Sequence, residues 1–172
     1  MKPISLVLSA ALVLGAACAS IPSFPISRAP LPADPGGGAA PAANTLATQI
    51  HDLVNDRRED RGLPPLQWDP RIAEAARQHS EAMASGRRPF GHDGFDARAS
   101  ALGSVMTMRS MAENVAYDSR EGSRLASQVV DGWISSAGHR QNIEGSFTRT
   151  GIGVARGGDG TRYFTQIFVD GG

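Results

Sequence analysis

Two segments in the first half of the chain carry apolar residues at helical spacing. The first segment places on one helical face Leu46, Ile50, Leu53 and Val54. Because Asn44 favours a helix N-cap and Gly62 favours a helix end, this pattern predicts a helix from Asn44 to about Arg61. The second segment starts with Asp69 as a cap and Pro70 at the first helical position. Its residues on one side are Ile72, Ala73, Ala76, His79 and Met83.

After the second helix the pattern changes from helical spacing to alternation. Residues 93–102 are predicted to form a short helix. The alternating residues Val105, Thr107 and Arg109 then predict a strand that ends near Glu113. This assignment would place the Glu113 carboxylate at the end of an element.

A third long helix and a hairpin complete the predicted elements. The helix covers residues 120–136, and Gly138 permits a sharp exit after it. One face of this helix is formed by Leu125, Val129, Trp133 and Ser136. The hairpin joins residues 151–154 to residues 163–169 through a glycine-rich turn. Helices therefore dominate the front of the chain and strands the back, which favours an α+β domain over a parallel α/β sheet.

Residues 1–19 have the composition of a secretion signal. Lys2 supplies a positive start, residues 4–17 are almost wholly apolar, and small residues precede Ser20. The apolar run is shorter than the roughly 20 residues that a membrane span needs. Cys18 is the only cysteine, and its surroundings also resemble a bacterial lipoprotein signal in which this cysteine carries a lipid. We therefore expect a protein that is secreted or periplasmic, or one whose only membrane contact is a lipid anchor at the cell envelope.

Residues 20–43 form a linker rich in proline, alanine and glycine. Such a segment buries too little apolar surface to offset the ordering of its chain. Residues 44–172 then remain for one domain, a length close to the commonest domain size. Because the chain has no second cysteine, this domain depends on core packing for its stability.

The charge balance argues against a nucleic-acid binder. The chain has 17 basic and 17 acidic residues. Arg57, Arg58 and Arg61 form a small basic cluster, but they alternate with acidic residues as on a solvated helix face. Because affinity for a phosphate backbone requires a basic face, we expect no nucleic-acid partner.

The candidate chemical groups are two histidines and a glutamate: His92, Glu113 and His139. Neutral imidazole and carboxylate suit divalent zinc, and two or three such ligands leave coordination positions open for water or substrate. The same side chains would also form an ordinary structural hydrogen-bond network, and the residues alone leave both alternatives open. His51 and His79 are predicted to lie at the core edge or surface rather than to act as ligands.

Five short motifs occur in register along the predicted domain. They are His79-Ser80 with Met83-Ala84, Phe90-Gly91-His92, Glu113-Asn114-Val115, the stretch from Trp133 to Ile143, and Tyr163-Phe164-Thr165-Gln166-Ile167-Phe168. Together these motifs resemble the CAP superfamily, also called the SCP-like extracellular domain, across about residues 44–169. The resemblance is closest to bacterial secreted members.

The resemblance implies an α-β-α sandwich, in which a small antiparallel sheet lies between helical layers. It also implies a cleft with two histidines and two acidic residues, in which His92, Glu113 and His139 correspond to three of the four positions. Ser136 stands where many eukaryotic members have a glutamate as the fourth. Without that carboxylate, a zinc ion would rest on His92 and His139, with Glu113 accepting a hydrogen bond from one of them.

The resemblance also associates the family with zinc, with lipid or sterol binding and with protein interaction. The leading hypothesis is a binding or effector module that takes a lipid, a glycan or a protein through a cleft formed by His92, Glu113, Ser136 and His139. The alternative is a zinc-dependent hydrolase in which the two histidines hold Zn²⁺ and Glu113 is the general base. A serine hydrolase is disfavoured, because Ser136 sits late in a predicted helix and no Gly-x-Ser-x-Gly sequence occurs.

Overall fold

A computed structural model describes residues 45–171, and the predicted leader, the linker and Cys18 lie outside these residues. The elements are α1 (Leu46–Glu59), β1 (Gln67–Trp68), α2 (Pro70–Ala84), α3 (Phe95–Gly103), β2 (Ser110–Asp118), α4 (Leu125–Ser135), α5 (Ala137–Ile143), β3 (Arg149–Arg156) and β4 (Arg162–Asp170). Among residues 45–171, none of the helices combines the length and the apolar character that crossing a membrane requires.

The strands form one four-stranded sheet in the order β1-β3-β4-β2. β3 and β4 pair antiparallel as the predicted hairpin, with Gly151 opposite Ile167. β2 pairs antiparallel with the other side of β4, with Glu113 opposite Ile167. The two-residue β1 pairs parallel with β3, so the sheet is mixed at one edge rather than antiparallel throughout. β2 forms the opposite edge, where side chains from the helices reach its outer side.

The sheet lies between two helical layers with separate cores, which confirms the predicted α+β class and the α-β-α sandwich. On one face, α2 and α3 pack on a core of Ile72, Ala75, Ala76, Ala99, Leu102, Met111, Ile167 and Val169. On the other face, α1, α4 and α5 pack around the fully buried Trp133. Side chains alternate along β4, so Ile167 faces the first core while Phe164 and Phe168 face the second.

The first two helices follow the predicted pattern, with one change at a cap. The N-cap of α1 is Thr45, whose hydroxyl accepts a hydrogen bond from the Thr48 amide. The predicted cap, Asn44, lies outside the described residues. α2 has the predicted Asp69 cap, which accepts a hydrogen bond from the Arg71 amide.

The prediction that Arg58 lies on a solvated face is wrong. Its side chain is buried, with only 1% of the residue exposed. Arg58 continues the buried face of α1 after Ile50 and Val54, at a spacing of four residues each time. The acidic neighbours in sequence point to other sides of the helix, and for that reason the local charge pattern was a poor guide to this residue.

The strand predicted from Val105 is wrong in its placement. β2 begins at Ser110 and ends at Asp118, so Glu113 lies inside the strand and not at its end. Val105 lies in the preceding loop and is 39% exposed. β2 is defined by its continuous pairing with β4, a tertiary contact that the local alternation of residues does not report.

The helix predicted over residues 120–136 begins later than predicted, because α4 covers only Leu125–Ser135, and a short helix that was not predicted, α5, follows it. Ser136 separates α4 from α5 and has an extended backbone, with φ −95° and ψ 123°. The chain therefore changes direction at Ser136, and Gly138 lies inside α5. As a result, His139 belongs to a short helix of its own instead of following the end of a long one.

Gly151 and Gly153 allow α2 to lie directly on β3. A Cβ atom at Gly153 would overlap backbone atoms of Ala76 and Arg77, and one at Gly151 would overlap the backbone of Ala73. The small residues of α2 thus meet a strand face that has no side chains at these two positions.

Gly153→Ala is expected to lower the free energy of unfolding by about 2 to 3 kcal/mol, because the added methyl group pushes α2 away from the sheet. Urea unfolding of the full chain measures this change. Gly158→Ala is the control, since a Cβ there meets no atom within 4 Å. Equal losses in the two variants would contradict close packing as the role of Gly153.

Candidate metal and ligand site

The three predicted chemical groups come from separate parts of the chain and meet at the free edge of β2. His92 lies in the loop before α3, Glu113 in β2 and His139 in α5. Asn142 holds α5 against β2 by donating to Asn114 Oδ1 at 2.9 Å, and Asn114 Nδ2 donates to the His139 carbonyl at 3.1 Å. Because β2 is an edge strand, groups from both helical layers reach this place.

Glu113 is buried, and both of its carboxylate oxygens accept hydrogen bonds. Arg98 donates from Nε to Oε2 at 2.8 Å and from Nη2 to Oε1 at 2.7 Å. His92 donates from Nδ1 to Oε1 at 2.9 Å. Burial by itself raises the pKa of Glu113, but the hydrogen bond from His92 and the charge of Arg98 outweigh burial and lower this pKa below its ordinary value. Glu113 is therefore an ionised acceptor at neutral pH.

Arg98 is the site residue that sequence reasoning missed. Its side chain is 12% exposed and reaches Glu113 from α3, 15 residues earlier in the chain. Its Nη1 also donates to His79 Nδ1 at 3.1 Å and to the Asp93 carbonyl at 2.8 Å. No local pattern distinguishes Arg98 from the other arginines, because its role depends on α3 meeting β2.

His79 belongs to the same buried cluster, and both of its ring nitrogens have partners. Nε2 donates to the Gly91 carbonyl at 2.8 Å, and Nδ1 accepts from Arg98. Because arginine only donates, Nδ1 must be the acceptor, which fixes the neutral tautomer with its proton on Nε2. Burial and then the charge of Arg98 lower the pKa of His79, although the charge of Glu113 acts against them. His79 therefore serves the network and has no nitrogen free for a ligand.

Three buried imidazole nitrogens have no hydrogen-bond partner among the described residues: Nε2 of His92 and both ring nitrogens of His139. Burial, followed by the charge of His92, lowers the pKa of His139 to about 4. His139 is therefore neutral at pH 7, and one of its nitrogens carries an available lone pair. Buried polar atoms without partners cost stability, so these nitrogens indicate a place for an additional polar group.

Ser136 lies three residues before His139, at the N-cap of α5. Its carbonyl accepts a hydrogen bond from the Arg140 amide at 2.9 Å, while its hydroxyl makes no capping bond to the first turn. Over residues 45–171, no hydrogen bond joins this hydroxyl to His92 or Glu113. Ser136 therefore sets the direction of α5, the helix that carries His139.

The donor set at this site is small. Within residues 45–171, no three or more His, Cys, Asp or Glu side chains are grouped to share one metal ion. Glu113 is engaged by Arg98 and His92, so within the cluster the nitrogens without a partner among the described residues belong to the two histidines, His92 and His139. Two imidazole nitrogens suit a zinc ion whose other positions are filled by water or by an external ligand.

A separate groove of about 280 Å³ lies between α1 and α4. Leu53 and Asp56 line it from α1, and Val130 and Asp131 line it from α4. None of the four predicted cleft residues lines this groove. The histidine cluster is thus a small polar site distinct from the groove.

Stability of the metal-free protein is expected to fall by about 3 kcal/mol between pH 6.5 and pH 4 through His139. The pKa of His139 is lowered to about 4 in the folded protein, whereas the unfolded chain has the ordinary histidine value. The unfolded state therefore binds more protons in this window, and stability decreases as the pH falls.

Urea unfolding of the chelator-treated chain at several pH values measures this contribution. His139→Gln has no imidazole at this position and is expected to show a shallower decrease over the same window. Parallel curves for the wild-type chain and His139→Gln would contradict the prediction. Glu113 and His79 are present in both proteins and so cancel in the comparison.

An α-β-α sandwich with histidines and a glutamate at the sheet edge defines a CAP-type domain. Residues 51–168 match the family model described as "Cysteine-rich secretory protein family", CAP. The chain belongs to this family. It does so with Cys18 as its only cysteine, so no disulfide can form within the chain.

Two relatives come from Bacillus subtilis. The chain is 33% identical over 134 residues to the uncharacterized membrane protein YlbC, a match that covers 73% of this chain and 34% of that protein. It is 28% identical over 155 residues to the uncharacterized protein YkwD, covering 83% of this chain and 55% of that protein. The chain therefore spans about a third to about half of the length of these relatives.

Solved structures share the fold. An extracellular protein containing a SCP domain from Bacillus anthracis is 30% identical with a TM-score of 0.59, and the match covers 78% of this chain and 45% of that one. An outer surface protein from Borrelia burgdorferi is 16% identical with a TM-score of 0.61, covering 74% of this chain and 93% of that one. The second likeness is one of fold alone.

Proposed function

We propose that this CAP-domain protein is an extracellular or envelope-anchored binding module that holds a zinc ion between His92 and His139. A lipid, glycan or protein ligand of the cell envelope or its surroundings would bind at the cleft formed by His92, Glu113, Ser136 and His139. The signal-like composition of residues 1–19 and the extracellular description of the Bacillus anthracis relative support this location. The three unpartnered buried imidazole nitrogens carry the proposal.

The residues present fit a zinc ion. His92 gives its Nδ1 proton to Glu113 and keeps Nε2 for a ligand bond, as in other sites where a carboxylate orients a metal-binding histidine. His139 is neutral at pH 7 because burial lowers its pKa, so it needs to release no proton on binding. When bound, zinc supplies a Lewis acid that polarises a ligand oxygen. With two protein ligands the affinity is expected to be modest, in the micromolar range or weaker.

The alternative, a zinc-dependent hydrolase with Glu113 as general base, has less support. Both oxygens of Glu113 accept hydrogen bonds, two from Arg98 and one from His92. The hydrogen bond from His92 and the charge of Arg98 hold the pKa of Glu113 down against the opposing effect of burial, which weakens this carboxylate as a base. A role in orienting His92 uses the same contacts without these difficulties.

Zinc titration of the chelator-treated full chain by calorimetry tests the proposal. The wild-type chain is expected to give saturable heat at one site, and His92→Ala and His139→Ala are expected to abolish it. His51→Ala is the control, because His51 bonds to the Leu66 carbonyl and to Asn55 on α1, outside the cluster. Heat that is absent from the wild-type chain, or unchanged in both cluster variants, would refute a zinc site here.

A further inference from the structure

We propose that Arg98 is a positioning residue for the ligand His92. By filling the other sides of the Glu113 carboxylate with donors, Arg98 holds that carboxylate against His92 Nδ1, so that the neutral form of His92 carries its proton on Nδ1 and its lone pair on Nε2. This inference rests on the proposed function, because it explains how one of the two zinc ligands is made ready to bind.

The guanidinium of Arg98 is held from several directions. Its Nε and Nη2 donate to the two oxygens of Glu113, the paired geometry that an arginine fork makes with a carboxylate. Its Nη1 donates to His79 Nδ1 and to the Asp93 carbonyl, and Nη2 makes a longer contact of 3.5 Å with the His92 carbonyl. Each N–H of this side chain thus has an acceptor on α2, on β2 or in the loop that carries His92.

The tautomer of His92 follows from which groups donate and which accept in the contacts from Arg98 to Glu113 and from Glu113 to His92. Arg98 can only donate, and the ionised Glu113 can only accept. The contact between Glu113 Oε1 and His92 Nδ1 at 2.9 Å therefore requires the proton on Nδ1. Neutral His92 then has its lone pair on Nε2, the nitrogen that has no partner among the described residues.

Lysine would not reproduce this arrangement. An ammonium group offers a compact set of donors and cannot span both oxygens of Glu113 while also bonding to His79 and to the Asp93 carbonyl. Without the fork, the Glu113 carboxylate is free to rotate away from Nδ1. His92 is then expected to populate both neutral tautomers, and the fraction with an open Nε2 falls.

The test is the tautomer of His92 in the metal-free full chain, read from long-range ¹H–¹⁵N correlation spectra at one fixed pH. The wild-type chain is expected to show a protonated Nδ1 and an unprotonated Nε2. Arg98→Met is expected to show a mixture of tautomers and a zinc dissociation constant raised by about 10- to 100-fold. An unchanged single tautomer in Arg98→Met would overturn the proposal.

Arg71→Met is the matched control. The Arg71 side chain is 14% exposed, close to the 12% of Arg98, and it pairs with the buried carboxylate of Asp69 away from the histidines. This variant is expected to keep the wild-type tautomer of His92 and the wild-type zinc affinity. A shift of the His92 tautomer in Arg71→Met as large as that in Arg98→Met would also overturn the proposal, because it would show a general effect of destabilisation.

Arg98→Lys provides the answer if Arg98→Met does not fold. Arg98→Lys retains the positive charge but not the fork, so a mixture of His92 tautomers is expected. A wild-type spectrum together with wild-type zinc affinity in this variant would overturn the positioning role of Arg98. The zinc titration of the wild-type chain tests the zinc proposal separately, because an absence of heat there rejects the metal site whatever the tautomer of His92. An Arg98-dependent tautomer in a chain that binds no zinc would retain the positioning role and reject the metal.

Discussion

Arg58→Met is expected to lower the free energy of unfolding by about 3 to 5 kcal/mol, because it leaves several buried carbonyl groups without a donor. The guanidinium of Arg58 donates to the carbonyls of Pro64, Ile143, Gly145 and Phe147, at 2.9, 2.6, 2.9 and 3.3 Å respectively. Methionine fills a similar volume but offers no N–H group. The loss is therefore one of hydrogen bonds and not of packing.

The four carbonyls explain why this buried cation is tolerated although no carboxylate within residues 45–171 pairs with it. Burial lowers the pKa of Arg58, yet arginine stays protonated because its ordinary pKa is very high. Three of the acceptors lie at or after the end of α5: the carbonyl of Ile143, the last residue of the helix, and those of Gly145 and Phe147 beyond it. Arg58 thus joins α1 to the segment that leads from α5 to β3.

Urea unfolding monitored by tryptophan fluorescence measures the effect of Arg58→Met. Arg61→Met is the control, because Arg61 follows on the same helix end, has a 49% exposed side chain and lies 3.6 Å from Glu144. This control is expected to change stability by about 0.5 kcal/mol or less. If the two variants lost the same amount, the hydrogen bonds of Arg58 would not be the cause.

Arg98→Met is expected to lower the free energy of unfolding by about 3 to 5 kcal/mol, since it leaves the Glu113 carboxylate buried without its cation. Glu113 is 2% exposed and cannot regain water without moving β2 or the loop that carries His92. The same substitution also removes the donors to His79 and to the Asp93 carbonyl. The unpaired charge of Glu113 and the lost hydrogen bonds to His79 and Asp93 therefore both destabilise the folded protein.

Arg109→Met is the comparison for this second prediction. Arg109 also binds a carboxylate, that of Asp170, but its side chain is 69% exposed. Solvent and salt screen an exposed pair of this kind, so this variant is expected to remain close to wild type in stability. A loss in Arg98→Met no larger than that in Arg109→Met would show that the buried network does not stabilise the fold.

Arg58 and Arg98 each join segments that are distant in the sequence. The family is described as cysteine-rich, whereas this chain has Cys18 as its only cysteine. Arg58 ties α1 to the segment after α5, and Arg98 ties α2, α3 and β2 together. Two of the links between distant segments in this domain are therefore made by hydrogen bonds from buried guanidinium groups, which depend on complete pairing of their donors.

Much of the local structure was predictable from the sequence by itself. The spacing of Ile50 and Val54, the Asp69-Pro70 start and the glycine-rich turn before β4 are local signals, and helices α1 and α2 and the β3–β4 hairpin follow them. The motifs around His92, Glu113 and His139 pointed to the CAP family, to which the chain belongs. Such signals survive without tertiary context because they reflect backbone geometry and the period of each element.

The tertiary structure alone decided the partners of the charged groups. It placed Glu113 inside β2 through pairing with β4, put His139 in a short helix that begins after Ser136, and buried Arg58 among carbonyls. It also brought Arg98 to Glu113, so that this carboxylate orients a histidine instead of standing free. A local pattern indicates which face of an element is apolar, but a hydrogen bond between distant segments depends on where those segments meet in three dimensions.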